Sequence, residues 1–122
     1  MNIEYLQNNG IDIAVVSSDK MIVVDTQSAL DLIMTIKYET GADKIAIDKH
    51  AICEDFFILS TGIAGEVLQK FINYHMKAAI YGDYSHYHSK PLRDFIYESN
   101  QGRDFFFVPT LEEAIRKLTE AS

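Results

Sequence analysis

The 122-residue chain is 48% hydrophobic and 24% charged, which supplies one real core, leaves too little length for two ordinary domains, and excludes the disordered and fibrous classes. Its 11 basic and 18 acidic residues give a formal charge of -7, so nucleic-acid phosphates and anionic lipid would be met by long-range repulsion and are not expected as partners. A single cysteine, Cys53, no amino-terminal signal pattern, and no apolar run near the ~20 residues of a membrane helix point to a reducing cytoplasm.

Residues 3–6 and 11–16 are short apolar and β-branched runs separated by Asn8-Asn9-Gly10. Asn-Gly accepts positive φ at both central positions of a type I′ turn, so this pattern predicts an antiparallel hairpin. Residues 21–24 read either as a third extended piece or as a buried approach to the next element. Asp25, Thr26 and Ser28 are candidate caps for a first helix, in which Ala29, Leu30, Ile33, Ile36 and Lys37 keep helical spacing until Gly41.

Lys44–Asp48 carries Ile45, Ala46 and Ile47 between polar ends, the pattern of a short parallel strand buried on both faces, with Asp48 at its carboxyl end. In the stretch after it, Ile52, Phe56 and Leu59 suit a helical turn while Phe57 points elsewhere. Glu54-Asp55 beside Phe56-Phe57 could present an acidic and aromatic contact surface, although aromatic residues fill cores more often.

The chain is organised around the stretch from Leu59 to Phe71, where Ser60-Thr61-Gly62-Ile63-Ala64-Gly65 opens a second helix. A helix entrance gathers unpaired N–H groups and a positive dipole end, and so favours an anion, a phosphate or a charged partner side chain. The plainer alternative is that Ser60 or Thr61 caps the helix and the glycines let it pack closely. Ala64, Val67, Leu68, Phe71, Ile72 and His75 form its apolar stripe, with Glu66 and Lys70 paired on the solvated side.

Lys77–Tyr81 reads as a strand ending at Gly82-Asp83, where a chain leaving a parallel sheet exposes its loop. The following segment, Asp83-Tyr84-Ser85-His86-Tyr87-His88-Ser89-Lys90, is polar, aromatic and rich in histidine, and forms a second candidate surface. Ser89 can cap a third helix with Pro91 in its first turn, Leu92, Phe95 and Ile96 inward, and Gly102 as its stop. Residues 105–108 are a last buried strand. Thr110-Leu111-Glu112-Glu113 is a capping box for a terminal helix with Leu111, Ala114, Ile115 and Leu118 inside, and Arg116 and Lys117 near its carboxyl end. This order predicts a single α/β domain over residues 1–122: a mixed sheet with an amino-terminal antiparallel hairpin followed by alternating helices and strands.

Three local patterns resemble the STAS domain of bacterial anti-sigma-factor antagonists and sulfate-transporter tails. They are Ile45-Ala46-Ile47-Asp48, Ser60-Thr61-Gly62-Ile63, and Phe107-Val108-Pro109-Thr110-Leu111-Glu112-Glu113-Ala114. In the antagonists the helix entrance reads Asp-Ser-Ser-Gly, and a partner kinase phosphorylates a hydroxyl in it. The resemblance implies modification at Ser60 or Thr61, with Thr61 beside Gly62 favoured, and a reversal of binding by the added charge. Leu59 stands where that family carries its acidic residue. The whole pattern, with Glu54-Asp55-Phe56-Phe57 and Ser89-Lys90-Pro91-Leu92-Arg93-Asp94-Phe95, also resembles a bacterial domain family of unassigned function.

Other chemistry is weaker. His86, His88 and Asp83 have suitable ligand atoms for a metal, but alternating residues of an extended chain diverge. Ser60 or Thr61 as a nucleophile would need a base such as His86 or His88. Neither a nucleophile elbow, a P-loop nor a dinucleotide glycine motif occurs, and Glu54 and Asp55 disfavour a thiolate at Cys53. Lys90 and Asp94 have the spacing of a local helix pair.

The leading expectation is a cytoplasmic STAS-like interaction or regulatory domain without cofactor, metal or catalytic residue. It docks a protein partner through Ser60, Thr61, Gly62 and Asp48, with phosphorylation at Ser60 or Thr61 as a candidate switch, and self-association is open to it. The alternative is a small-ligand sensor built on residues 82–93, with Asp83, Tyr84, His86, His88, Lys90 and Arg93 as contacts; a hydrolase comes last.

Overall fold

The computed structural model describes residues 1–121, and in its first turn both central residues take positive φ, 51° at Asn9 and 79° at Gly10. That twist folds β1 (Asn2–Asn8) back on β2 (Ile11–Ser17) in antiparallel register from Asn2↔Ser17 to Asn8↔Ile11. β3 (Lys44–Asp48), β4 (Lys77–Tyr81) and β5 (Phe105–Val108) then add in parallel, giving the order β1-β2-β3-β4-β5. The mixed α/β class and the alternation expected from the sequence are both present.

Four helices cover the sheet: α1 (Thr26–Thr40), α2 (Ile63–Asn73), α3 (Lys90–Gln101) and α4 (Leu111–Glu120). Alternation along the strands divides the core into two layers. Ala14, Val16, Ile45, Ile47, Ala78, Ile80, Phe105 and Phe107 pack with residues of α1, α2 and α3, whereas Ile13, Val15, Ala46, Ala79, Phe106 and Val108 pack with Ala114 and Leu118 of α4. No helix among the described residues is long and apolar enough to cross a membrane.

Local chemistry explains the boundaries. Asp25 caps α1 by accepting from Ser28 N, and Gly41, at φ 73°, ends it in the left-handed conformation. Ser89 caps α3 by accepting from Leu92 N. Residues 21–24 form no strand: among the described residues Val23 makes one isolated parallel bridge, to Ile52, and it alone of the four is buried, with Met21 and Val24 exposed.

Three expected details differ. α2 begins at Ile63 with Gly62 as its cap, because Leu59–Thr61 forms a separate 3-10 turn and Gly62 reverses the chain at φ 81°. The stripe of α2 ends at Phe71; Ile72 is 46% exposed, and His75, beyond the helix at φ 56°, is exposed while Met76 takes the buried position. Thr110 caps α4 by accepting from Glu113 N at 3.2 Å, but the Glu113 carboxylate turns to Arg116 at 2.6 Å, so only half of the capping box forms.

Candidate functional site

The carboxyl end of β3 lies beside that of β4, in register at Asp48↔Tyr81. Asp48 accepts from His50 N at 2.9 Å and so starts a 3-10 turn, Lys49–Ala51. Lys49 then crosses Gly82, where a Cβ would lie 2.6 Å from Lys49 Cβ. Glycine at position 82 is what lets the lysine stem lie against the neighbouring strand's exit.

The Lys49 side chain is only 11% exposed, and its ammonium sits in an aromatic box. Nζ lies 4.8 Å from the ring centroids of both Phe57 and Tyr87 and 5.9 Å from that of Tyr84. Glu54 Oε1 stands 3.5 Å away, and Glu54 Oε2 accepts from the Tyr87 hydroxyl at 3.0 Å. A largely buried cation is thereby balanced by one carboxylate and by ring faces, the arrangement a desolvated ammonium requires. Burial, then the bond to Glu54, pushes the Tyr87 hydroxyl well above its ordinary pKa. Burial, then Tyr87, does the same to Tyr84, whose hydroxyl donates to Ile80 O at 2.8 Å.

This box binds two segments together. One is residues 54–61, in which the 3-10 turn Glu54–Phe57 buries Phe56 and Phe57 and leaves Glu54 and Asp55 exposed. The other is residues 83–90, pegged by Tyr84 and Tyr87, with the Phe57 and Tyr87 rings stacked at 5.2 Å. At the start of that loop Asp83 accepts from Ser85 N at 2.8 Å. Its hydrogen bonds to Ser85 hold the carboxyl below the usual carboxylate range.

Between the segments runs a groove of about 370 Å³ lined by Phe57, Ile58, Leu59, Pro91 and Leu92, with Glu54, Ser60, His86, Tyr87, His88 and Ser89 as its polar members. The hydroxyl at the helix entrance and the histidine loop, read as separate surfaces in the sequence, therefore meet in one concavity. The neighbouring hydroxyls part company there. Thr61 Oγ1 donates towards Asp55 O at 2.8 Å and Ile58 O at 2.9 Å and accepts from Ile63 N at 3.3 Å, so it ties the turn together. Ser60 is exposed on the groove and its hydroxyl has no hydrogen bond among the described residues.

Other candidates fall elsewhere. Asp48 lines a separate cleft of about 470 Å³ with Asn2, Ser17, Ser18 and Asp19, and pairs with His50 Nδ1 at 3.1 Å. Lys90 is bound to Asp94 at 2.6 Å as the helix spacing suggested. Arg93 shares a second concavity, about 510 Å³, with Tyr84, Ser85, Tyr87, His88 and Tyr97 on the far side of the loop. His86 rests on Tyr87 at 4.1 Å. Among the described residues, no hydrogen bond joins Ser60 to either histidine, and no group of three or more His, Cys, Asp or Glu is placed to hold a metal.

Lys49 and the reason for Gly82 escaped the sequence reading. A signal was present: once β3 and β4 are set side by side, the glycine after Tyr81 falls next to the lysine after Asp48.

The model of a family described as Domain of unknown function (DUF4180) matches residues 8–118. The chain belongs to the DUF4180 family. No curated protein and no solved structure matches it. In this DUF4180 domain the matched region contains both walls of the groove and the lysine box beneath them.

Proposed function

We propose that this DUF4180 domain is a STAS-like, cytoplasmic interaction module that docks a segment of a partner protein in the groove between residues 54–60 and 86–92. The observation that carries this reading is the convergence of the α2 entrance and the histidine loop on one concavity with an apolar floor and polar rim. Such a floor suits apolar anchors of an incoming chain, and Ile58, 52% exposed at the groove, is available to meet them. Phosphorylation acts at Ser60 in this reading, because its hydroxyl is exposed and unengaged while that of Thr61 holds two carbonyls. A phosphate on Ser60 adds about -1.5 to -2 charges at the rim and reverses docking. Asp48, in its separate cleft, has no part in this contact.

The test is affinity capture from lysate of cells that express the chain, comparing wild type with Ser60→Glu, Thr61→Glu and the remote Tyr38→Glu. A partner retained by wild type and Tyr38→Glu but lost from Ser60→Glu supports the groove, whereas identical partners on all four proteins contradict it.

A second reading rests on Arg93, which makes no ion pair among the described residues and lines the adjoining concavity with three tyrosines. It predicts a small anionic, aromatic ligand there. A screen of such compounds would show a thermal shift in wild type that Arg93→Ala abolishes.

A further inference from the structure

The two edges of the sheet are finished differently. At β5 the Asn100 side chain of α3 closes the edge: its Oδ1 accepts from Phe107 N at 2.7 Å and its Nδ2 donates to Phe107 O at 3.0 Å. Among the described residues β1 has no such cover: it pairs regularly with β2 over all of Asn2–Asn8, without proline, lysine or bulge, and Glu4 is its single charged guard. In a two-residue hairpin the residues flanking the turn exchange both backbone bonds, and the pattern then alternates. With Asn8↔Ile11 as the flanking pair, Asn2, Glu4, Leu6 and Asn8 bond inward, and the N–H and C=O groups of Ile3, Tyr5 and Gln7 point out of the sheet.

We propose that β1 is a pairing edge for a second copy of this chain, joining two sheets antiparallel about a twofold axis at Tyr5. The strand is self-complementary in that register. Ile3 faces Gln7, Gln7 faces Ile3, and Tyr5 faces its own mate, so every outward donor meets an outward acceptor. Glu4, the strand's only charged residue, falls opposite Leu6, so no charge directly faces a like charge across the pair. The Tyr5 rings, 42% exposed and each held by a hydroxyl bond to Glu39 of α1, are already placed for a cross-strand aromatic contact. This contact lies on a different part of the molecule from the groove and does not depend on it.

The experiment is light scattering coupled to size exclusion over a rising concentration series, on wild type, Tyr5→Lys and Gln7→Pro. Tyr5→Lys sets two ammonium groups face to face at the axis. Gln7→Pro removes an outward N–H that β2 does not use. The expected result is a concentration-dependent dimer for wild type and a monomer for both variants, with circular dichroism showing each folded. If Gln7→Pro fails to fold, Tyr5→Lys alone decides the matter. A monomeric wild type across the series, or a dimer unchanged in folded Tyr5→Lys, would overturn the proposal.

Discussion

Residues 54–61 reach the groove on two buried phenylalanines and a threonine whose hydroxyl is bound to carbonyls, whereas residues 83–90 reach it on two half-buried tyrosines, each tied by one hydroxyl bond. The first wall is an outgrowth of the core: Phe56, fully buried, meets Phe105 and Phe107 of β5 at 6.5 and 6.3 Å. The second is a loop pinned at intervals, with Ser85 and His86 exposed between the pins and His88 exposed just beyond them. One wall is thus anchored through the core and the other through fewer, more exposed contacts, so the second is expected to open locally at lower free-energy cost than the first.

The largest effect on this contrast comes from Phe57, which belongs to the first wall and stacks on Tyr87 of the second. Phe57→Ala is expected to cost about 3–5 kcal/mol in urea denaturation and to loosen both walls together. Loss of order in the loop alone, at full stability, would break the comparison. Gly82→Ala comes next at about 1–3 kcal/mol, because the new methyl group must displace the Lys49 stem. Its companion, Gly82→Ala with Lys49→Gly, takes away the Cβ that the new methyl group meets and should recover part of that loss in a double-mutant cycle.

Smaller still, Tyr87→Phe removes the bond to Glu54 and is expected to cost about 1 kcal/mol, with faster hydrogen exchange confined to residues 83–90. The paired hydroxyls sharpen the contrast further: Thr61→Ala should lose about 1 kcal/mol, while Ser60→Ala stays within about 0.5 kcal/mol of wild type. Equal effects at the two positions would erase the distinction drawn between them.

The weakest expected effect is one of pH. The folded Asp83 carboxyl titrates below the unfolded value of about 3.9 because Ser85 bonds its ionised form. Its contribution is therefore complete above the unfolded value and lost as pH falls through the folded one. Protection of the Ser85 amide should decline in that acidic window, and Asp83→Asn should flatten the decline.

Much of the fold was legible where local pattern and tertiary environment agree. Lys44–Asp48 and Lys77–Tyr81 were read to their ends, since apolar runs between polar residues leave a buried parallel strand little freedom. The helix entrance was misplaced by a turn, because Ser60 and Thr61 both look like caps. Only the positive φ of Gly62 shows that the chain reverses first. The site was less legible than the fold. Ser60 shares a concavity with His86 and His88 through packing of Phe57 on Tyr87, a contact between distant segments that leaves no periodicity in either. Lys49 was missed for a similar reason: lysine ordinarily stays in water, and its burial depends on a glycine on the next strand.

The most direct measurement is site-specific photo-crosslinking in cells, with the photoreactive residue placed in turn at Ser60, at His88 and at Tyr38, which is 93% exposed on α1. Adducts to one common protein from positions 60 and 88, absent from position 38, are the predicted result. Equal labelling from all three positions, or labelling from position 38 alone, would contradict the groove as the docking surface.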